Sequence, residues 1–235
     1  MDAYAAGPWV TDHVPPRPRP PLDRRRILEA ALRLIDEHGL GELSMRRLGA
    51  ELGVQAMSLY RYVPSKQAVI EGVRQLIFDE LARLRPAQAA TGHWEEDLFV
   101  MARAFRDACR RHPHALSLFA TDVDRAYAAA ARFYEPALAA LVAAGFAPDD
   151  AVDAVRTVTR YVLATELLVA AVTTMRAPLE EDEIGAVEAD HPLVGHLVRS
   201  LADRPPDILE ETGLQVLVAG LRDRLATAAA APGGT

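Results

Sequence analysis

Two short segments on either side of a glycine favour helix: residues 45–52 read MRRLGAEL, Gly53 follows, and residues 55–63 read QAMSLYRYV. Isolated helices shorter than about 12–15 residues are marginal in water, because nucleating the first turn is costly. Neither segment is therefore stable alone, and each must bury apolar side chains against a neighbour. We expect a shared apolar centre made of Leu43, Leu48, Leu52, Val54, Leu59 and Val63.

Capping residues indicate where the helices around this pair begin and end. Asp23 precedes a helix that runs to Gly39, which suits a left-handed end, and Ser44 precedes the first short helix. Pro64 halts the second short helix, and Ser65 caps a fourth helix that ends near residue 85. The spacing thus predicts four helices within about 60 residues.

Small residues allow the two short helices to cross closely. Gly53 can adopt the positive φ that a tight turn needs, and Ala50 is small where the helices would meet. A helix, a glycine turn and a second short helix at this spacing predict a helix-turn-helix, which holds one exposed helix face at a fixed angle.

The composition favours helices throughout, because half of the residues are hydrophobic, 6% are aromatic, and no regular alternation is present. Cys109 is the only cysteine, so no internal disulfide can form. No apolar run reaches about 18 residues without a charge, and a membrane span is not expected. Since the first ten residues lack the pattern of a signal peptide, we expect a cytoplasmic protein.

Charge divides the chain unevenly. Residues 17–66 carry ten Lys and Arg against six Asp and Glu, within a chain whose net charge is -7. A basic N-terminal part suits contact with a polyanion, although ordinary surface variation produces the same imbalance. Residues 1–21, which include VPPRPRPP, predict a flexible arm. Its arginines either follow DNA or belong to a solvated tail.

Residues 24–81 resemble the N-terminal domain of the tetracycline-repressor (TetR) family of bacterial transcription regulators. The likeness is most specific at LGV in residues 52–54 and SLYRYVPSK in residues 58–66. Residues 67–225 also resemble the C-terminal domain of the tetracycline repressors proper. The resemblance implies an all-α fold, with a three-helix DNA-binding domain at residues 22–66 and a helical regulatory domain at residues 67–235. The helix at residues 66–85 would link the two domains.

The resemblance also implies that the second short helix enters the major groove of duplex DNA. Arg61 would suit a bidentate contact with a guanine, and Lys66 would bind a phosphate. Met57 and Tyr60 could instead pack in the core. The full set of candidates is Arg46, Gln55, Ala56, Met57, Ser58, Tyr60, Arg61, Tyr62 and Lys66.

The rest of the chain predicts helices at about 94–111, 113–120, 124–143, 148–175, 192–203 and 207–228. The helices at 148–175 and 207–228 are apolar around much of their circumference, and dimers of the family pair such helices in a four-helix bundle. We therefore expect a homodimer on a near-palindromic operator, with a monomer core as the alternative. The acidic residues 179–190 predict a mobile loop.

A ligand pocket in this family lies among the middle helices. Apolar residues at helical spacing suit either a pocket wall or simple core, and polar groups such as Arg103 and Arg160 lie among them. The tetracycline repressors hold a magnesium–drug chelate, but Thr121 and Leu168 stand where its histidine and glutamate ligands would be, so we expect no metal and no cofactor. The pocket candidates are Trp94, Met101, Phe105, Leu116, Phe119, Phe133, Leu138, Tyr161 and Thr165.

The competing function is an all-helical enzyme. The sequence contains no Walker-type glycine loop and no HExxH, GxSxG or CxxC motif. We therefore predict a DNA-binding repressor released by a small, largely apolar or aromatic effector. A DNA-binding regulator controlled by a protein partner is the alternative.

Overall fold

The computed structural model describes residues 21–84, 92–120, 127–175, 181–203 and 206–230. Within these ranges the chain is helical and contains no β-strand, which confirms the all-α prediction. Two short 3-10 helices, Leu40–Glu42 and Pro113–Ala115, accompany the α-helices. The α-helices are α1 (Arg24–His38), α2 (Met45–Leu52), α3 (Ala56–Leu59), α4 (Lys66–Leu84), α5 (Trp94–Arg111), α6 (Ser117–Ala120), α7 (Tyr127–Ala143), α8 (Pro148–Met175), α9 (Glu181–Asp190), α10 (Pro192–Asp203) and α11 (Pro206–Ala230).

Some of the predicted features lie outside the described residues. They include the N-terminal arm apart from residue 21, and residues 124–126 of the helix expected at 124–143. Among the described helices, none is long and apolar enough to cross a membrane.

The predicted capping interactions of the first helices are present. Asp23, Ser44 and Ser65 each accept a hydrogen bond from the backbone N–H three residues further on, at 2.7, 3.1 and 3.1 Å. Gly39 ends α1 with φ 84°, positive as expected, but its ψ of 160° lies outside the left-handed helical region. The capped ends of these helices therefore lie where the sequence indicates, but the second short helix is shorter than expected, because α3 ends at Leu59 and not before Pro64.

Helix α4 connects the N-terminal bundle to the rest of the molecule. Val69, Val73, Ile77 and Leu81 recur every four residues and are completely buried on one face of this helix. The helix packs against α1 and also against α7. Because α4 belongs to both parts of the chain, the domain boundary at residues 66 and 67 stays a prediction.

Helices α5, α7 and α8 pack against one another and form the centre of the larger part, with α11 lying against α8. Gly213 of α11 lies so close to Tyr161 of α8 that a Cβ at this glycine would be 1.9 Å from the phenol oxygen. The absence of a side chain at residue 213 therefore leaves room for the ring of Tyr161 between these two long helices.

The mobile loop expected at residues 179–190 is wrong for the described part of that segment. Residues 181–190 form α9, which packs against α10 and buries Ile184. Arg199 of α10 donates hydrogen bonds to Glu188 at 2.9 Å and to Glu181 at 3.1 Å. Carboxylates in the first turn of α9 also interact favourably with the helix dipole. The acidic side chains therefore stabilise this helix, both through the dipole and through their hydrogen bonds with Arg199.

A charged cluster fastens the end of α5 to α1 and α4. His112 is 13% exposed, and its Nδ1 lies 2.8 Å from Oδ2 of Asp36 in α1. Its Nε2 lies 3.4 Å from Oε2 of Glu80 in α4, which also pairs with Arg111. The hydrogen bond with Asp36 raises the pKa of His112, with a further contribution from Glu80, while burial opposes the shift.

Replacing His112 should therefore lower stability in a pH-dependent way. Because folding raises the pKa of His112 above its ordinary 6.5, the charged form stabilises the fold at low pH, and this contribution disappears as pH rises through the raised pKa. We expect the melting temperature of His112→Gln to fall furthest below wild type near pH 6 and to approach it towards pH 9. His191→Gln, at an exposed position between α9 and α10, is the control. A deficit of equal size at every pH would contradict the assignment.

Candidate nucleic-acid interface and ligand cavity

Helices α2 and α3 are held together by a backbone contact at Gly49. A Cβ on this glycine would lie 2.8 Å from the carbonyl oxygen of Val54 and 3.1 Å from the backbone nitrogen of Ala56. Gly53 makes the turn with φ 68° in the left-handed region, as predicted. The expectation that Ala50 lies at the crossing is wrong, because its side chain is exposed and the backbone of the turn packs on the neighbouring glycine instead.

The apolar centre expected beneath these helices is present. Leu48, Leu59 and Val63 are completely buried, Leu43 and Leu52 nearly so, and Val54 packs at the edge of the same core. Their neighbours come from α1 and α4, since α2 packs on α1 and α1 packs on α4. The short helices are therefore stabilised by tertiary burial, as their length requires.

The side chains predicted to face DNA are almost all exposed. Met57 is 75% exposed, and Tyr60 and Tyr62 are 43% and 38% exposed, so none of the three is a core residue. Ala56 is half-buried against α2. The remaining exposed members of the set are Arg46, Gln55, Ser58, Arg61 and Lys66.

The basic residues of this region fall into two groups. Arg47 donates to Glu42 at 2.6 Å and Arg25 donates to Glu29 at 2.7 Å, so both are engaged within the protein. Arg46, Arg61 and Lys66 form no ion pair with any described residue. Their charges are available to a polyanion, which is the chemical requirement of a phosphate-binding surface.

A cavity of about 280 Å³ lies among α4, α5, α6, α7 and α8. Aromatic rings form much of its wall: Phe119 stacks edge-on against Phe78 at 5.4 Å and against Phe105 at 5.7 Å between ring centroids. The lining residues are Arg74, Phe78, Phe105, Leu118, Phe119, Ala130, Ala131, Tyr134, Glu135, Leu138, Val152, Val155, Arg156, Thr159, Arg160 and Leu163.

The structure places only some of the predicted pocket residues in this lining. Phe105, Phe119, Leu138 and Arg160 are there, whereas the other named candidates are not. Met101, Leu116 and Phe133 are buried in the core, Trp94 packs edge-on against Phe146, and Thr165 donates to the backbone oxygen of Tyr161 at 2.9 Å. Arg103, another candidate, donates to Glu211 at 2.6 Å.

Several cavity residues were not among the candidates predicted from sequence. Of these, the arginines could have been recognised from their positions in the sequence. Arg74 directly follows the buried Val73 of α4 and is itself only 2% exposed. Arg156 likewise interrupts an apolar stretch of α8. A charged residue inside an apolar helical face is unusual unless it has a partner or a function, and this pattern marks both positions.

No group of three or more described His, Cys, Asp or Glu residues is arranged to hold a metal ion. Glu166, two residues before Leu168 on α8, accepts two hydrogen bonds from Arg110 at 2.8 and 3.0 Å. Leu168 is 64% exposed, and Thr121 lies outside the described residues.

Two family models match the chain. Residues 27–73 match "Bacterial regulatory proteins, tetR family", and residues 85–225 match "Tetracyclin repressor-like, C-terminal domain". The chain belongs to the TetR family. It is therefore a DNA-binding regulator of transcription and not an enzyme, which confirms the prediction from sequence.

Individual TetR-family relatives agree with this assignment. An HTH-type transcriptional regulator of Saccharopolyspora erythraea is 32% identical over 91% of this chain and 90% of its own length. The repressor DrrR1 of Streptomyces coeruleorubidus is 42% identical over 47% of this chain, but the match spans only 40% of DrrR1. The crystal structure of apo ActR from Streptomyces coelicolor has a TM-score of 0.73 at 25% identity, covering 89% of this chain and 99% of ActR.

Substitution of Gly49 tests the contact that positions α3. In Gly49→Ala the added methyl group would collide with backbone atoms of the turn, and overpacking of this kind costs about 1–3 kcal/mol. We expect a lower free energy of unfolding in a urea titration. Gly41→Ala is the matched control, because nothing lies within 4 Å of its added Cβ. Equal stability of the two variants would contradict the proposed close approach.

Proposed function

We propose that the protein is a homodimeric repressor that binds a near-palindromic operator and releases it when a small, largely apolar or aromatic effector enters the cavity. The observation that carries the DNA-binding half of this proposal is the closely packed α3 segment, beside which three cations have no ion-pair partner in the described part of the chain. A regulator whose exposed face combines hydroxyls, an amide and unpaired basic groups is equipped for both phosphates and base edges.

Within this proposal the exposed side chains have different tasks. Arg61 and Gln55 would reach base edges in the major groove, where guanidinium and amide groups distinguish guanine and adenine. Met57 offers apolar contact to a thymine methyl group. Ser58, Tyr60, Tyr62 and Lys66 would hold the phosphates on either side, and Arg46 would approach from the start of α2. These contacts are supported by exposure and chemistry.

The homodimer is supported by exposed apolar residues on the two long helices that pack together. Leu168 of α8 and Val216 of α11 are 64% and 67% exposed, and Leu167 is 36% exposed. Such side chains on adjacent helices are typical of a surface that another chain covers. Two copies would place the two α3 segments on successive major grooves, about 34–36 Å apart.

The effector half of the proposal is supported by the position of the cavity relative to α4. Arg74 and Phe78 of α4 line it, and Nε of Arg74 donates to the backbone oxygen of Leu118 in α6 at 3.2 Å. The same helix begins at Lys66, beside the DNA-facing segment. A ligand that shifts α4 would therefore move the reading surface, and the related ActR has been crystallised in complex with (S)-DNPA.

Removing the charge of Lys66 tests its role at a phosphate. Lys66→Ala should weaken binding to all duplexes and reduce the slope of log K against log salt by about 0.9 for each protomer's lost phosphate contact. Fluorescence anisotropy between 50 and 300 mM salt measures this slope. Lys66→Arg keeps the charge and should keep the slope. An unchanged slope in Lys66→Ala would exclude this lysine as a phosphate ligand.

A charge on the exposed face of α8 and α11 tests the dimer. The double variant Leu168→Glu/Val216→Glu should be monomeric in sedimentation velocity, because two carboxylates from each copy would be buried without partners. Its affinity for a palindromic duplex should fall about 100-fold or more, since the second half-site contact becomes a separate binding event. Val142→Glu, at an exposed valine of α7, is the control. A variant that remains dimeric would overturn this choice of interface.

A further inference from the structure

We infer that the effector is an aromatic carboxylate whose carboxylate group binds between Arg156 and Arg160 of α8. This inference rests on the proposed function, because it assigns the chemistry of the ligand in the same cavity. It is carried by the absence of partners for the two arginines among the described residues and by the aromatic side chains that line the same cavity.

The two arginines occupy one face of α8, one helical turn apart. Residues at positions i and i+4 are neighbours on a helix surface, with Cβ atoms about 5–6 Å apart. Thr159 and Leu163 extend the same face, and Val152 and Val155 begin it; all of these residues line the cavity. The face therefore brings two guanidinium groups and one hydroxyl to an otherwise apolar wall.

Neither arginine has a partner among the described residues. Nε of Arg156 is buried without a hydrogen bond, and Arg160, which is exposed, forms no ion pair or hydrogen bond there either. A buried charged donor without a partner is costly, and like charges one turn apart repel each other. One anion between the two side chains would remove both costs.

The remaining cation of the lining is already satisfied. Arg74 pairs with Glu71 at 2.5 Å and donates to the backbone oxygen of Leu118. The lining contains a single carboxylate, Glu135, which is exposed. The positive charge of the cavity that no described residue balances therefore lies at Arg156 and Arg160.

A carboxylate fits these arginines better than a neutral polar group. The planar guanidinium donates two parallel N–H bonds, which match the two oxygens of a carboxylate. Phe78, Phe105 and Phe119 form the aromatic part of the wall and favour stacking with a flat ring system. A volume of about 280 Å³ lies just below the usual range of ligand pockets, about 300–1,000 Å³, so we expect two or three fused rings.

Matched pairs of acids and amides provide the test. Isothermal titration calorimetry would compare 2-naphthoate and anthracene-2-carboxylate with 2-naphthamide and anthracene-2-carboxamide, which keep the ring and lose the charge. Wild type should bind the acids roughly tenfold or more tightly than the amides, because charge-assisted hydrogen bonds are about twice as strong as neutral ones. Arg156→Gln/Arg160→Gln should lose this preference and still bind both compounds of each pair through the rings.

The control variant is Arg222→Gln, which removes an arginine on α11 that pairs with Glu95 and lies outside the cavity lining. It should retain the preference for acids. Circular dichroism would establish that the double variant is folded, and its binding to a selected operator duplex should equal that of wild type, because neither arginine belongs to the DNA-facing surface.

The outcomes separate this inference from the proposed function. Equal binding of acids and amides, a preference that survives in the double variant, or no binding of any acid would overturn the carboxylate site. If acids and amides bound equally and both released the operator, the effector-controlled repressor would stand without the carboxylate. If acids bound through the two arginines without releasing the operator, the site would stand and the effector role would fail.

Discussion

The burial of α4 between α1 and α7 is the constraint on which the rest of the structure depends. One face of this helix, from Val69 to Leu81, is completely buried, so the helix cannot shift without changing its contacts on both sides. At 1.5 Å per residue, Lys66 and Phe78 are about 18 Å apart along it. A single helix thus extends from the neighbourhood of α3 to the wall of the cavity.

The surface around α3 has little stability of its own, so its position depends on the helices that support it. Helix α3 has only four residues, and its position follows from the burial of Leu59 and from the backbone contact at Gly49. That core is shared with α1, and α1 packs on α4, so a displacement of α4 would change the contacts that support α3. The charged cluster around His112 also connects the end of α5 to α1 and to α4.

The N-terminal bundle was largely predictable from sequence, and the cavity was not. Caps and buried leucines leave local signals in residue type and spacing, so Ser44 and Leu59 were assigned correctly. The same apolar spacing is produced by a pocket wall and by a packed core, so Phe119 in the lining could not be told from Met101 in the core. The contact at Gly49 depends on the path of the turn backbone, and α9 depends on Arg199 from another helix; neither is visible in a local pattern.

The most direct test is selection of bound fragments from a random duplex pool with the purified chain, at low ionic strength. We predict enrichment of a near-palindrome whose half-site centres lie one helical turn apart, because two α3 segments held by a symmetric pair of chains must reach successive major grooves. Enrichment of an isolated half-site would contradict the symmetric assembly. No enrichment of any duplex would contradict the assignment of the α3 surface to DNA.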